Sequence, residues 1–282
     1  MSQSWQGASP PDLAPLGVTD WLRAGVRGIV LGGVTFGGLA LLLAVRTVEW
    51  PLCGAHRPVT PFITQGVCRA AFVILGMRYR TEGTPMRHPG AVVANHVSWL
   101  DIFALNARKR IYYVAKAEVA GWAGIGWLAR ATGTIFIARD RTQARAQTRT
   151  FAARLSLGHK LLFFPEGTST DGMRVLSFKP TLFEAFFAPA LRDMVWVQPV
   201  TVAYTAPTDQ PQAFYGWWGE MDFAPHFLRV LAAPRQGAVR VIYHAPLQVA
   251  AHDGRKDLCA AAEMAVRCGL VAALGSAPPR AG

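Results

Sequence analysis

The sequence predicts an α/β protein: a largely parallel mixed sheet flanked by helices, preceded by an N-terminal membrane-associated helical segment. Three observations lead there. An uncharged run, GIVLGGVTFGGLALLLAV, occupies residues 28–45. Beyond residue 79, short apolar runs rich in β-branched and aromatic residues alternate with helical patterns. The composition is basic and apolar at once, with 29 Lys+Arg against 17 Asp+Glu, 51% hydrophobic residues and 16% charged ones. Nucleic-acid binders carry dense Lys/Arg runs, and this chain has few, so no nucleic-acid partner is expected. A basic, apolar, Trp-rich chain suits an anionic membrane surface, where rings sit at headgroup level and arginines meet phosphates.

In chain order, residues 1–18 are weakly patterned and contain Pro, Ser and Gly, which reads as a mobile tail without a signal-peptide layout. The uncharged run 28–45 lies between Arg27 and Arg46. As a helix it spans ~27 Å, about one hydrocarbon core. Its five glycines weaken a soluble helix but are tolerated where helices pack in a membrane. A buried core helix is the competing reading. A second segment, 58–77, carries Pro58 and Pro61 at its start and is interrupted by Arg69. It fits either an interfacial amphipathic helix or a re-entrant hairpin with the first. Arg46, Arg57, Arg69, Arg78 and Arg80 follow the first segment, against Arg23 and Arg27 before it, so the positive-inside rule places the C-terminal part on the cytoplasmic side. The expected division is an N-terminal tail with anchoring helices over 1–78 and a globular unit over 79–282.

Within that unit, strands are expected at 91–95, 110–116, 134–138, 160–165, 195–204 and 239–247. Helical patterns cover 98–108, 141–157, 181–191 and 256–274. The alternation implies parallel strands with helices on the sheet faces. The four cysteines, Cys53, Cys68, Cys259 and Cys268, form no C-x-x-C pair and read as reduced, small hydrophobes.

NHVSWLD, at 95–101, follows the first of these strands. Ser98 as an N-cap and Asp101 in the first helical turn explain two of its residues as helix-start chemistry. They leave His96 unexplained. On one continuous helix, positions five apart point about 140° away from each other and cannot touch. With His96 at the strand end and Asp101 in the next helix, the carboxylate folds back beneath the imidazole. It then fixes one ring nitrogen as N–H and leaves the other as a base. A neutral imidazole suits removal of a hydroxyl proton. No G-x-S-x-G is present, so His96 is expected to activate a substrate hydroxyl directly.

A second stretch, LLFFPEGTSTDG at 161–172, ends a strand and opens a loop of Gly, Thr, Ser and Asp, whose N–H groups and hydroxyls can hold a polar head group. Ordinary turn chemistry accounts for much of 168–172, though less readily for Glu166. Between the two stretches lies GTIFIARD, at 133–140, where Arg139 follows an apolar strand; it projects into the same mouth or is a solvated surface residue.

In this order, NHxxxxD (95–101), G-x-IFI-x-R (133–139), FPEGT (164–168) and V-x-P-V (197–200) resemble the glycerolipid acyltransferases of the lysophosphatidic acid acyltransferase type, over roughly residues 80–204. The resemblance implies transfer of a fatty acyl group from acyl carrier protein or coenzyme A to a membrane lysolipid hydroxyl, without a metal or other cofactor, at the inner membrane of a bacterial-type cell. It makes His96 the general base and Asp101 its orienting carboxylate. It also implies that Arg139, Glu166, Gly167 and Thr168 shape the acceptor head-group site. Lys116, in AKAEV, matches a recurrent lysine of the family, with a role in oxyanion stabilisation or acceptor binding.

One departure bears on the acceptor. Enzymes acting on glycerol phosphates commonly read FPEGTR-S, where the arginine is placed to fork onto phosphate. Here Ser169 follows Thr168. EGTSTDGMRVLSFK instead resembles the lyso-ornithine lipid acyltransferases, whose acceptor carries a carboxylate and an amine. Arg174 is a possible substitute cation, which keeps lysophosphatidic acid as an alternative acceptor. Two other classes compete. A non-catalytic membrane-binding protein needs the composition but not the ordered His96, Asp101 and Glu166. A metal-dependent hydrolase would draw on His96, Asp101, Glu166 and Asp171. The aromatic stretch 217–231 is amphipathic, suited to bordering an acyl channel or the bilayer, or to core packing.

Overall fold

The computed structural model describes residues 5–11, 15–137 and 144–275. Its first helix, α1 (Val18–Cys53), has 36 residues and is about 54 Å long at 1.5 Å per residue. The uncharged run is its middle. Its buried side chains, Ala24, Leu31, Leu42 and Glu49, recur at spacings of seven, eleven and seven, which traces one seam along the helix. Leu22, Ile29, Leu41, Val48 and Leu52 point outward and are exposed. Such a length of uncovered apolar surface marks the chain as membrane-associated.

α2 (Thr60–Leu75) folds back along α1. The Glu49 carboxylate ties the turn between them, accepting from the N–H groups of Val59 (2.8 Å) and Thr60 (3.1 Å), the Thr60 hydroxyl (2.7 Å) and Arg46 (3.0 Å). Gly38 sets the closeness of the two helices: a Cβ there would lie 2.3 Å from Val67 Cγ2. The other face of α2 buries Cys68, Ala71, Phe72 and Leu75 beside the helix after the first motif.

The strands are β1 (Arg78–Glu82), β2 (Gly90–Ala94), β3 (Tyr112–Lys116), β4 (Ile135–Ile137), β5 (Lys160–Phe163), β6 (Trp196–Thr205), β7 (Ala238–Tyr243) and β8 (Leu247–Gln248). Among the described residues they form one sheet in the order β1-β7-β6-β2-β5-β3-β4, with β8 on β6. From β6 to β4 all pairs are parallel, whereas β7 and β8 run antiparallel to β6. The remaining helices are α3 (Leu100–Arg108), α4 (Ile125–Thr132), α5 (Ala144–Ser156), α6 (Phe223–Ala232) and α7 (Arg255–Gly275).

The sheet divides the apolar interior in two. β2 sends Val92 and Ala94 into the core beneath α2, α3 and α6, and Ala91 and Val93 into the core beneath α5 and α7. This period of two on a strand buried on both faces explains why β2 reads as an unbroken apolar run and why β5 and β6 are mostly apolar.

Several expectations are corrected. The segment 181–191 is not an α-helix: a 3-10 helix covers Pro180–Phe187 and turns follow. Phe183 and Phe186, three apart and fully buried, both pack on Phe163, a spacing that the tighter helix aligns. The expected strand 239–247 is split, β7 ending at Tyr243 and β8 starting at Leu247. β1 escaped detection because its exposed positions are Arg78, Arg80 and Glu82. α4 is also additional, bounded by Gly124 (φ +70°) and Gly133 (φ +84°). The predicted mobile tail is seated where it is described. Trp5 packs on Trp218, with ring centres 6.1 Å apart.

The N-terminal arginines are drawn into the α/β unit. Arg23 donates to the carbonyl of Ala232, and Arg27 to those of Leu231 (2.9 Å) and Ala233 (2.6 Å), at the C-terminal end of α6. Arg57 reaches Ala131 at the end of α4 (2.6 Å), and Arg69 reaches Ala107 at the end of α3 (2.7 Å). Each guanidinium satisfies carbonyls that the helix leaves unpaired and meets its negative end.

Gly38→Ala is expected to push α2 off α1 and cost about 1–3 kcal/mol through overpacking against the stiff Val67. Thermal unfolding in detergent measures this, and an unchanged melting temperature would contradict the close-approach role.

Candidate active site

Strands β2, β5, β3 and β4 are parallel, so the loops after them open at one edge of the sheet. NHVSWLD leaves β2 there. Asn95 fixes its exit, because its side-chain amide accepts from Val202 N–H (2.8 Å) and donates to Val202 C=O (2.9 Å) on β6. The next residue, His96, starts the turn.

The His96 Nδ1 lies 2.8 Å from Asp101 Oδ2. The same oxygen accepts from the backbone N–H groups of Val97 (2.7 Å) and Ser98 (3.1 Å). The other oxygen, Oδ1, accepts from the Tyr204 hydroxyl at 2.8 Å. Asp101 is 0% exposed, whereas the His96 side chain is 22% exposed. Burial and the Asp101 charge hold the Tyr204 phenol well above its usual range, which keeps it a donor. A carboxylate at Nδ1 selects the tautomer with its proton there and leaves Nε2 as an acceptor. Phe164 stacks on the imidazole, 4.0 Å between centroids and 12° between planes.

Ser98 is not the expected cap. Its hydroxyl is buried without a hydrogen-bond partner, and no side chain caps α3 at Trp99. Asp101 supplies the reverse half of a capping box alone, by reaching back to the N–H groups before the helix.

With this geometry, the comparisons decide the family. The chain is 54% identical over 266 residues to the lyso-ornithine lipid O-acyltransferase of Rhodobacter capsulatus, covering 94% of this chain and 96% of that one. An acyltransferase family model matches residues 77–203. The chain belongs to the acyltransferase family.

Other relatives of this acyltransferase divide by acceptor. The lyso-ornithine lipid O-acyltransferase of Pseudomonas aeruginosa is 35% identical over 92% of this chain and 96% of its own. The 1-acyl-sn-glycerol-3-phosphate acyltransferase of Neisseria gonorrhoeae is 39% identical over 101 residues, 35% of this chain and 40% of that one. The crystal structure of the 1-acyl-sn-glycerophosphate acyltransferase PlsC from Thermotoga maritima shares the fold at a TM-score of 0.58 and 20% identity, covering 90% of this chain and 99% of that one.

The acyltransferase stitches its second loop to its first. Glu166 is 2% exposed, and both its oxygens are taken by backbone: Oε1 by His96 N–H (2.8 Å) and Oε2 by Leu176 N–H (2.7 Å). It is therefore turned inward, where it braces the loop from within. Burial pushes its carboxyl up to about 8, against the pull of the two N–H donors. Thr170 N–H donates to the His96 carbonyl at 3.0 Å, so the His96 peptide is held on both sides. Gly172 (φ +78°) must be glycine here, because a Cβ would sit 2.7 Å from Val97 Cγ1. Gly167 (φ +76°) and the half-buried Thr168 lie on the outer part of the loop.

Lys116 ends β3 at the same sheet edge, half-buried and in register with Ile137 of β4. Arg139 lies outside the described residues. The stretch 217–231 does core packing beside the site: Trp217 N–H donates to the Val97 carbonyl (2.9 Å), and Phe223 and Phe227 surround Trp99. Tyr204 is the site neighbour that sequence reasoning did not single out, whereas Asn95 and Phe164 stood in the quoted motifs without a role. The available signal for Tyr204 was a polar tip in an otherwise buried strand.

Glu166→Ala leaves two N–H groups unpartnered and is expected to cost about 2–5 kcal/mol, whereas Glu166→Gln keeps one acceptor and costs less. The native carboxyl holds its proton up to about 8, against 4.5 for an ordinary glutamate. The native state thus binds the proton more tightly, and this contribution to stability falls as pH rises through that window. Melting temperatures recorded across the window are expected to decline less steeply in Glu166→Gln, and an identical slope would contradict the assignment.

Proposed function

We propose that this acyltransferase moves a fatty acyl group from an acyl thioester to the free hydroxyl of lyso-ornithine lipid, giving ornithine lipid. The observation that carries the acceptor is the 54% identity to the Rhodobacter capsulatus enzyme over nearly the whole chain. The loop chemistry supports it. Where glycerol-phosphate enzymes commonly place an arginine, this chain has Ser169, whose hydroxyl donates to the Trp217 carbonyl. Arg174, the possible substitute, is paired with Asp171 at 2.9 Å and 3.3 Å. The second reading, acylation of 1-acyl-glycerol-3-phosphate, is favoured by the Neisseria relatives, over a third of the chain.

His96 Nε2 takes the proton of the acceptor hydroxyl, with Asp101 holding Nδ1–H and stabilising the imidazolium that forms. The hydroxyl oxygen attacks the thioester carbonyl, and the tetrahedral intermediate collapses to the ester by expelling the thiolate, which takes the proton from the His96 imidazolium and leaves as the thiol. Asp101, being buried and fixed by three further donors, keeps the ring aimed while its charge changes. Lys116 bears on the oxyanion or the acceptor, and Arg139, Gly167 and Thr168 border the head group. The donor is acyl carrier protein or a coenzyme A thioester. Because the thioester is already activated, the reaction calls on no further cofactor. Residues 1–78 serve as the anchor and 79–282 as the catalytic unit, on the cytoplasmic face of a bacterial inner membrane.

His96→Ala is expected to abolish transfer while the protein still sediments with membranes. Asp101→Asn is expected to lose less than His96→Ala, but still about three to four orders of magnitude. Turnover near the wild-type rate in His96→Ala would remove the base assignment. The acceptor is decided separately, by purified enzyme, labelled acyl carrier protein and both lysolipids. Faster turnover of lyso-ornithine lipid is expected, and turnover of lysophosphatidic acid alone would sink the preference.

A further inference from the structure

We propose that residues 5–8, with Trp5 163 residues before Thr168 in sequence, form a wall of the acceptor head-group site and set its selectivity by holding Arg174 against Asp171. This inference rests on the acceptor reading above. The segment lies directly on the loop that follows β5. Trp5 N–H donates to Thr168 Oγ1 at 3.3 Å. The Trp218 indole N–H donates to the Ala8 carbonyl at 2.9 Å, and Gln6 Nε2 donates to Glu220 at 3.4 Å. These contacts seat the Trp5 ring above the loop and against Trp218.

The Arg174 guanidinium lies 5.1 Å from the centre of the Trp5 ring and bonds Asp171 through Nη2 and Nε. An aromatic face on one side and a buried carboxylate on the other offset its charge and fix its direction. Arg174 is the side chain able to replace the arginine that phosphate-directed loops place after Thr168. Held this way, its Nε and Nη2 are engaged by Asp171, and the side chain, 50% exposed, is turned to the Trp5 ring. The cation that the fold sets beside Gly167 is instead Lys179. Its Nζ lies 2.6 Å from where a Gly167 Cβ would be. A single ammonium meets a carboxylate as a point charge but lacks the fork that grips a phosphate. The wall therefore favours an acceptor with a carboxylate and an amine over one with a phosphate monoester.

The test uses the full chain in lipid nanodiscs, as wild type, Trp5→Ala, Trp5→Phe and a deletion of residues 2–8. The readout is the ratio of kcat/KM on lyso-ornithine lipid to kcat/KM on lysophosphatidic acid. Trp5→Ala and the deletion are expected to move this ratio toward lysophosphatidic acid by about tenfold, mostly through KM, as Arg174 is released. Trp5→Phe, which keeps an aromatic face, is expected to restore most of it. A ratio within about twofold of wild type in Trp5→Ala and the deletion overturns the wall, whether both activities persist or fall together. A wild-type enzyme that prefers lysophosphatidic acid overturns the acceptor reading instead; a ratio that still moves in Trp5→Ala retains the wall.

Discussion

The Asp101 carboxylate is closed to solvent and gathers four donors: the His96 ring, the N–H groups of Val97 and Ser98, and the Tyr204 hydroxyl. A charge taken out of water must be repaid by such contacts, so the loop, the start of α3 and the end of β6 are constrained to one arrangement. The spacing alone does not create this. His252 and Asp257 are also five apart, also 2.8 Å from ring nitrogen to carboxylate, and Asp257 also accepts a backbone N–H from Asp253. That second pair sits at the start of α7 with Asp257 53% exposed, where water screens it. Burial and the tyrosine distinguish the first pair from ordinary helix-start chemistry.

Around that carboxylate, backbone groups do most of the assembly. Glu166 holds the His96 N–H, Thr170 N–H holds the His96 carbonyl, and Trp217 N–H holds the Val97 carbonyl. Three loops from distant parts of the chain are thereby joined through peptide groups and the Glu166 carboxylate, so the His96 backbone is fixed while its side chain stays 22% exposed. In the reaction proposed above, preorganisation of this kind reduces the rearrangement needed as charge develops.

The central strands were legible because burial on both faces calls for consecutive apolar residues, as in GAVVA and the LLF of β5. β1 was not, since an edge strand tolerates Arg78, Arg80 and Glu82 on its open face. At the site, the contact of His96 with Asp101 could be read from a strand end followed by a helix start. The inward turn of Glu166 could not, because its partner is 70 residues away and depends on the β2–β5 pairing. Tyr204 was hidden for the same reason, as its reach to Asp101 follows from the placement of β6 beside β2. The seat of Trp5 depends on Trp218, more than 200 residues further on, and leaves no local pattern.

The arginines of the N-terminal helices also carry a meaning beyond counting charges. Arg23, Arg27, Arg57 and Arg69 each end on the last carbonyls of a helix in the α/β unit. The helical hairpin is thus bolted to the sheet layer at three helix ends, and does not hang from it as a flexible tether. A rigid mount fixes the loop edge relative to α1 and α2. The enzyme then meets its lipid acceptor by lateral diffusion within the bilayer plane. Its encounter rate depends on the mole fraction of lysolipid in that plane, and dilution of the membranes in bulk water leaves that rate unchanged.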